Sequence, residues 1–175
     1  MNESNINSKK SIIQYIKNFK IYLNERFPLG KNSFFVLIFT LSGYIYTSLL
    51  YNSKIMYLFT NGVKIGIFQY EIIALFIIVF MFFFQLRITD EFKDYEEDLK
   101  YRAYRPVQRG IISLKTLGKI GIATVIIQIM LAHVIDPEII YFMIFVWIYM
   151  FLMAKEFFIK KWLTKRILIY ALSHV

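Results

Sequence analysis

Long apolar runs constrain this chain more than any other feature. They extend from Phe34 to Tyr51, from Ile65 to Leu86, from about Leu117 to Ile135, and from Ile139 to Ala154. A helix that crosses a membrane needs about 20 mostly apolar residues, each rising about 1.5 Å. The first three runs meet that length. The fourth is short, and Pro137 and Glu138 extend it as a first turn. A fifth run begins near Trp162, but the nine residues after Arg166 amount to roughly 14 Å of helix, about half of a hydrocarbon core. The expected architecture is all-α: a polytopic membrane helix bundle with four complete transmembrane helices and part of a fifth.

Composition supports this reading. The chain is 58% hydrophobic and 19% aromatic, against about 45–50% apolar residues in an ordinary soluble domain. It has no cysteine, so thiolate catalysis, disulfide scaffolds and cysteine-bound zinc or iron–sulfur centres are excluded.

The net charge of +9 raises nucleic acid and the membrane surface as partners. The placement of the 21 Lys and Arg decides between them. Nineteen fall before the first run, around the segment between the second and third (Lys119 just inside the third), or after the fourth. Only Lys54 and Lys64 fall between the first and second, and none between the third and fourth. Cytoplasmic loops of membrane proteins are enriched in Lys and Arg. The N-terminus, residues 87–116 and residues 155–161 are therefore expected in the cytoplasm. The asymmetry accounts for the charge with a lipid bilayer as partner and without nucleic acid.

Residues 1–8 read as a disordered tail and 9–27 as an interfacial amphipathic helix. Ile12, Ile16, Phe19, Leu23 and Phe27 recur at helical spacing, and Pro28 and Gly30 break the pattern. The first apolar run starts too late for a cleavable signal peptide. Residues 28–175 then form a single transmembrane domain with a motif-bearing loop at 87–116. Gln85 and Gln128 are suited to hydrogen bonds between helices.

Six of the twelve carboxylates lie in the string DEFKDYEED: Asp90, Glu91, Asp94, Glu96, Glu97 and Asp98. On a continuous helix Asp90, Asp94, Asp98 and Glu91 fall at about 0°, 40°, 80° and 100°, sharing one face. Like charges at this spacing destabilise a helix, so the pattern calls for a cation. Mg²⁺ suits carboxylate oxygens and commonly bridges to phosphates. Lys100, Arg102, Arg105 and Arg109 follow, and such cations bind oxyanions. Carboxylates for a metal beside cations for an oxyanion describe a diphosphate site. The same residues also read as a solvated mixed-charge loop.

The string DEFKDYEEDLKYRAYRPVQRGIIS resembles the first signature of the UbiA-type membrane prenyltransferases. That family carries N-D-x-x-D-x-x-x-D just after its second transmembrane helix, followed by a segment like R-P-L-x-x-G-x-I-S. Asp90 stands at the Asn position, Glu91 at the first Asp, and Asp94 and Asp98 at the other two. Arg105, Pro106, Gly110, Ile112 and Ser113 match the second segment. The resemblance implies a helix bundle with a polar cavity on the cytoplasmic side. It implies Mg²⁺-dependent transfer of an isoprenyl group from an isoprenyl diphosphate to a lipophilic, often aromatic, acceptor, as in quinone or lipid biosynthesis. Asp90, Glu91, Asp94 and Asp98 would be the catalytic metal ligands. Lys100, Arg105, Arg109 and Lys155 would bind the diphosphate.

The chain departs from the family in two places. Phe151 replaces the tyrosine of a Tyr-x-x-x-Lys pattern that would end at Lys155, and no second aspartate-rich motif follows Asp98. The expectation is thus a family member truncated to its N-terminal half, inactive without a missing C-terminal half. The alternatives are an inactive homologue that keeps only the first metal–diphosphate site, or a non-enzymatic small membrane subunit.

Overall fold

The computed structural model describes residues 3–50, 65–163 and 165–173. These form α1 (Glu3–Arg26), α2 (Leu29–Leu50), α3 (Ile65–Lys93), α4 (Tyr95–Tyr101), α5 (Leu114–Ile135), α6 (Ile139–Ala154), a 3₁₀ turn (Glu156–Phe158), α7 (Lys160–Leu163) and α8 (Ile167–Ser173). The described residues contain helices and no strands, as expected. Lys54 and Lys64 lie outside them.

Among the described residues, two helices are long and apolar enough to cross a membrane, Tyr70–Lys93 and Leu114–Ile135, while Ile139–Ala154 is apolar but shorter. Only 22% and 17% of their most apolar windows is buried within the chain. Their apolar surface is therefore not consumed by a protein core, as it would be in a central helix of a soluble domain. The segment expected to start a fifth span is divided into α7 and α8.

α3 is the central element and packs on α2, α5 and α6. Its crossing with α5 is close because α5 offers glycines there. A Cβ at Gly118 would meet Phe92 Cζ at 3.4 Å, and one at Gly121 would meet Ile88 Cδ1 at 3.8 Å. Small residues let helix backbones approach in this way. A buried polar chain ties the same helices. Gln85 Nε2 donates to Thr124 Oγ1 (2.9 Å) and Gln128 Oε1 (2.6 Å), Gln128 Nε2 donates to the Ile78 carbonyl (2.9 Å), and Trp147 Nε1 donates to Gln85 Oε1 (3.1 Å). The interhelical role expected for Gln85 and Gln128 is met, with α6 joined through Trp147.

α1 is more than a surface helix. Its backbone is helical from Glu3, so residues 3–8, expected as tail, continue it. Tyr22 and Phe27 are buried with Phe84, Ile88, Val107, Ile112 and Leu117, and Phe19 and Leu23 pack against that cluster. The five-residue apolar stripe divides: its C-terminal members enter the core, whereas Ile12 and Ile16 stay exposed.

The connection from α4 to α5 is ordered by its own backbone. Gly110 N donates to the Val107 carbonyl (3.0 Å) and Ile111 N to the Pro106 carbonyl (2.9 Å). This pair of bonds is the Schellman closure, which needs a left-handed residue at its glycine position. Gly110 has φ 71°. Ser113 then caps α5 by accepting from Thr116 N at 3.1 Å.

A divided acidic segment as candidate site

The helix is interrupted at Asp94, between α3 and α4, yet its hydrogen-bond ladder continues. Asp94 N donates to the Asp90 carbonyl (2.9 Å) and Asp98 N to the Asp94 carbonyl (2.8 Å). The four carboxylates expected on one face therefore keep nearly helical directions, and the structure separates them into two pairs.

Glu91 and Asp98, about 20° apart on the wheel, point inward and are fully buried. Glu91 Oε1 accepts from Arg26 Nε at 2.6 Å and lies 3.6 Å from Arg87. Asp98 accepts from Arg102 Nη1 at 3.0 Å and from Arg105 Nη1. Buried charges of this kind require partners, and arginine supplies several donors to one carboxylate. Glu91 carries a second effect. Tyr22 has its hydroxyl buried without a hydrogen-bond partner, and burial first, then the Glu91 charge, raises its pKa.

Asp90 and Asp94 are only partly buried. They line a groove of about 410 Å³ between α3 and α6. Lys93 and Thr89 accompany them at the charged end. Phe82, Leu86, Val146, Met150 and Met153 form its apolar walls. Asp90 has Arg87 at 3.5 Å, while Asp94 forms no ion pair among the described residues. Burial raises the Asp94 pKa above its ordinary value; Lys93 opposes this, and Asp98 and Glu97 add to it.

Among the described residues no three His, Cys, Asp or Glu side chains cluster to hold a metal. The carboxylates facing the groove number two, Asp90 and Asp94. Two carboxylates are a sufficient protein share for Mg²⁺, which retains waters and takes phosphate oxygens as further ligands. The donor set at the groove thus fits one such ion. Glu91 and Asp98 serve as anchors in this arrangement.

The expected diphosphate ligands are likewise dispersed. Arg105 is held by Asp98, and its side chain is only 14% exposed. Arg109 Nη2 donates to Glu25 at 2.6 Å. Lys100 is exposed, with its ammonium 5.0 Å from the Tyr101 ring centre. Lys155 is exposed one residue beyond Ala154, which lines the groove. None of these four lines the groove itself.

Three polar groove residues were not assigned to the site by the sequence reading: Thr89, Lys93 and Tyr149. A single stripe on α3 contains Phe82, Leu86, Thr89, Asp90 and Lys93 at helical spacing, and Asp94 continues it. Following that stripe from its apolar end would have selected the groove side chains that α3 contributes. Lys93 also lies 3.4 Å from Glu156, a buried carboxylate that opens the 3₁₀ turn. In that turn Glu156, Phe157 and Phe158 have φ of 49°, 53° and 60°, a left-handed run that L-residues rarely adopt.

Comparison with protein-family models, curated proteins and solved structures finds no match.

Proposed function

We propose that this chain is a prenyltransferase-like membrane protein that binds an isoprenyl diphosphate with Mg²⁺. The observation that carries the reading is the α3–α6 groove, whose acidic end continues into apolar walls. A metal diphosphate with a hydrocarbon tail has the same polarity profile. Asp90 and Asp94 hold the ion. Lys93 adds positive charge beside them, and Lys100 and Lys155 supplement it at the surface. Arg105 and Arg109 act by fixing the loop that carries the motif. Met150, Met153, Phe82 and Leu86 enclose the chain of the ligand.

When bound, Mg²⁺ neutralises charge that develops on a departing diphosphate. The walls exclude water from the reacting carbon, and the lipophilic acceptor reaches it from the bilayer. α2 and α6 complete four crossings with α3 and α5, and the Lys- and Arg-rich segments, including the N-terminus and 87–116, face the cytoplasm.

A second reading has a specific observation in its favour. The groove presents two carboxylates, enough for one ion. A homologue with this site alone binds the metal diphosphate and does not turn it over. Purified protein incubated with Mg²⁺ and labelled geranylgeranyl diphosphate separates the readings. Retention of label that depends on Mg²⁺ and is lost in Asp94→Ala but kept in Glu96→Ala supports the site. Product with a quinone precursor supports transfer, and binding without product supports the second reading. Equal losses in both variants would reject the site altogether.

A further inference from the structure

A second cavity, of about 470 Å³, lies between α1 and the start of α5, away from the acidic groove. Its walls include Ile16 and Phe19 from α1, Ile112 from the connection, and Thr116 and Ile120 from α5. Asn18 and Ser113 supply further polar groups, and no charged residue lines it.

Its surroundings indicate an occupant. The cavity sits at the first turn of α5, the end of a helix long and apolar enough to cross a membrane. A cavity at that level meets lipid headgroups on one side and acyl chains on the other. The adjoining surface of α1 is apolar, with Ile12, Ile13 and Ile16 at 54%, 64% and 64% exposure. Its borders are basic. Lys20 follows Ile16 by four residues and Lys119 follows Thr116 by three, so each neighbours a lining residue on its helix, and both are exposed. The nearby acid Glu25 is bound to Arg109.

We propose that this cavity binds one anionic phospholipid, whose headgroup meets Lys20 and Lys119 and whose acyl chain lies along Ile16, Phe19 and Ile120. The lipid seats the first half of α1 on the bilayer, while Tyr22 and Phe27 seat the second half in the protein. This inference rests on the membrane location alone and not on prenyl chemistry.

The test is native mass spectrometry of the full chain in an uncharged detergent, with an equimolar mixture of phosphatidylglycerol and phosphatidylcholine. Wild-type protein is expected to retain phosphatidylglycerol preferentially. The Lys20→Gln/Lys119→Gln variant should lose on the order of thirtyfold in that preference, as expected for two cations near an anionic headgroup. Lys17→Gln/Lys31→Gln removes the same charge at positions that neighbour no lining residue on their helices and should retain the preference. Circular dichroism confirms that both variants fold. Equal retention of the two lipids by wild type overturns the proposal, and so do equal losses in the two variants. Displacement of the lipid by inorganic phosphate would also overturn it, showing a site for the free anion. Resistance of the wild-type chain to alkaline extraction from membranes checks the membrane location independently.

Discussion

Glu91 and Asp94, three residues apart, have different surroundings: Glu91 is fully buried against Arg26, and Asp94 lines the α3–α6 groove. One segment thus carries both a structural anchor and a candidate ligand site.

Their substitutions should separate accordingly. Glu91→Gln leaves Arg26 without its ionic partner, and breaking a buried pair costs about 3–5 kcal/mol. Asp94→Asn should change stability by less than about 1 kcal/mol, because the residue is only partly buried and makes no described ion pair. Cation binding should show the reverse order. Thermal unfolding in detergent and Mn²⁺ titration followed by electron paramagnetic resonance measure the two properties.

Asp94 also sets a pH dependence. Its pKa is raised from the ordinary 3.8 chiefly by burial, so the folded state holds this proton more tightly than the unfolded chain does. Without metal, the Asp94 contribution to stability falls as pH rises from the unfolded pKa through the folded one. Proton and cation compete for the carboxylate, so metal affinity should fall as pH drops through the raised pKa. That loss should begin at a higher pH than for an ordinary aspartate. Mn²⁺ affinity measured between pH 4 and 7, about the carboxylate-to-neutral range, should show it, and Asp94→Asn should abolish this component.

Gly110→Ala should destabilise the chain by about 1–2 kcal/mol, the cost of a left-handed L-residue. No atom lies within 4 Å of a Cβ built at Gly110, so the effect comes from the backbone and not from a clash. Gly110→Asn should recover part of it, because asparagine tolerates this conformation. Denaturant titration of the three proteins provides the comparison.

Asp98→Asn should loosen residues 102–113 without unfolding the helices. Arg102 and Arg105 both lose a charged acceptor, and Arg105 is mostly buried. Faster hydrogen exchange in that segment, with α5 exchange unchanged, is the expected pattern.

Gln128→Leu should cost about 1–2 kcal/mol. It removes the acceptor for Gln85 and the donor for the Ile78 carbonyl, and polar contacts between helices in lipid reach about that size. The double variant with Gln85→Leu should cost less than the sum of the two single changes, because both residues belong to one chain of bonds.

The helices were legible because apolar period and length are local properties. Pro28 also marked the break between α1 and α2, whereas Gly30 lies inside α2 and Pro137 and Glu138 precede α6 and do not form its first turn. Partnership was less legible. Residues 90–98 offer the same wheel whether they surround a cation or turn two carboxylates inward. The difference lies in Arg26, 65 residues from Glu91, and in the cavity side of α6, neither of which local spacing contains. Tyr22 was missed for a related reason: its polar hydroxyl disguised a position that shares the core-facing side of α1 with Phe19 and Leu23. The division of α7 from α8 similarly depends on turns that the apolar pattern does not register.

The two ion pairs at the end of α1 have a consequence for its alignment. Neighbouring residues of opposite sign, Glu25 and Arg26, bind Arg109 and Glu91 respectively. A slip of the helix by one residue would bring carboxylate towards carboxylate or guanidinium towards guanidinium. The two contacts therefore work as a keyed joint, accepting one rotational setting of the helix and opposing its neighbours by repulsion.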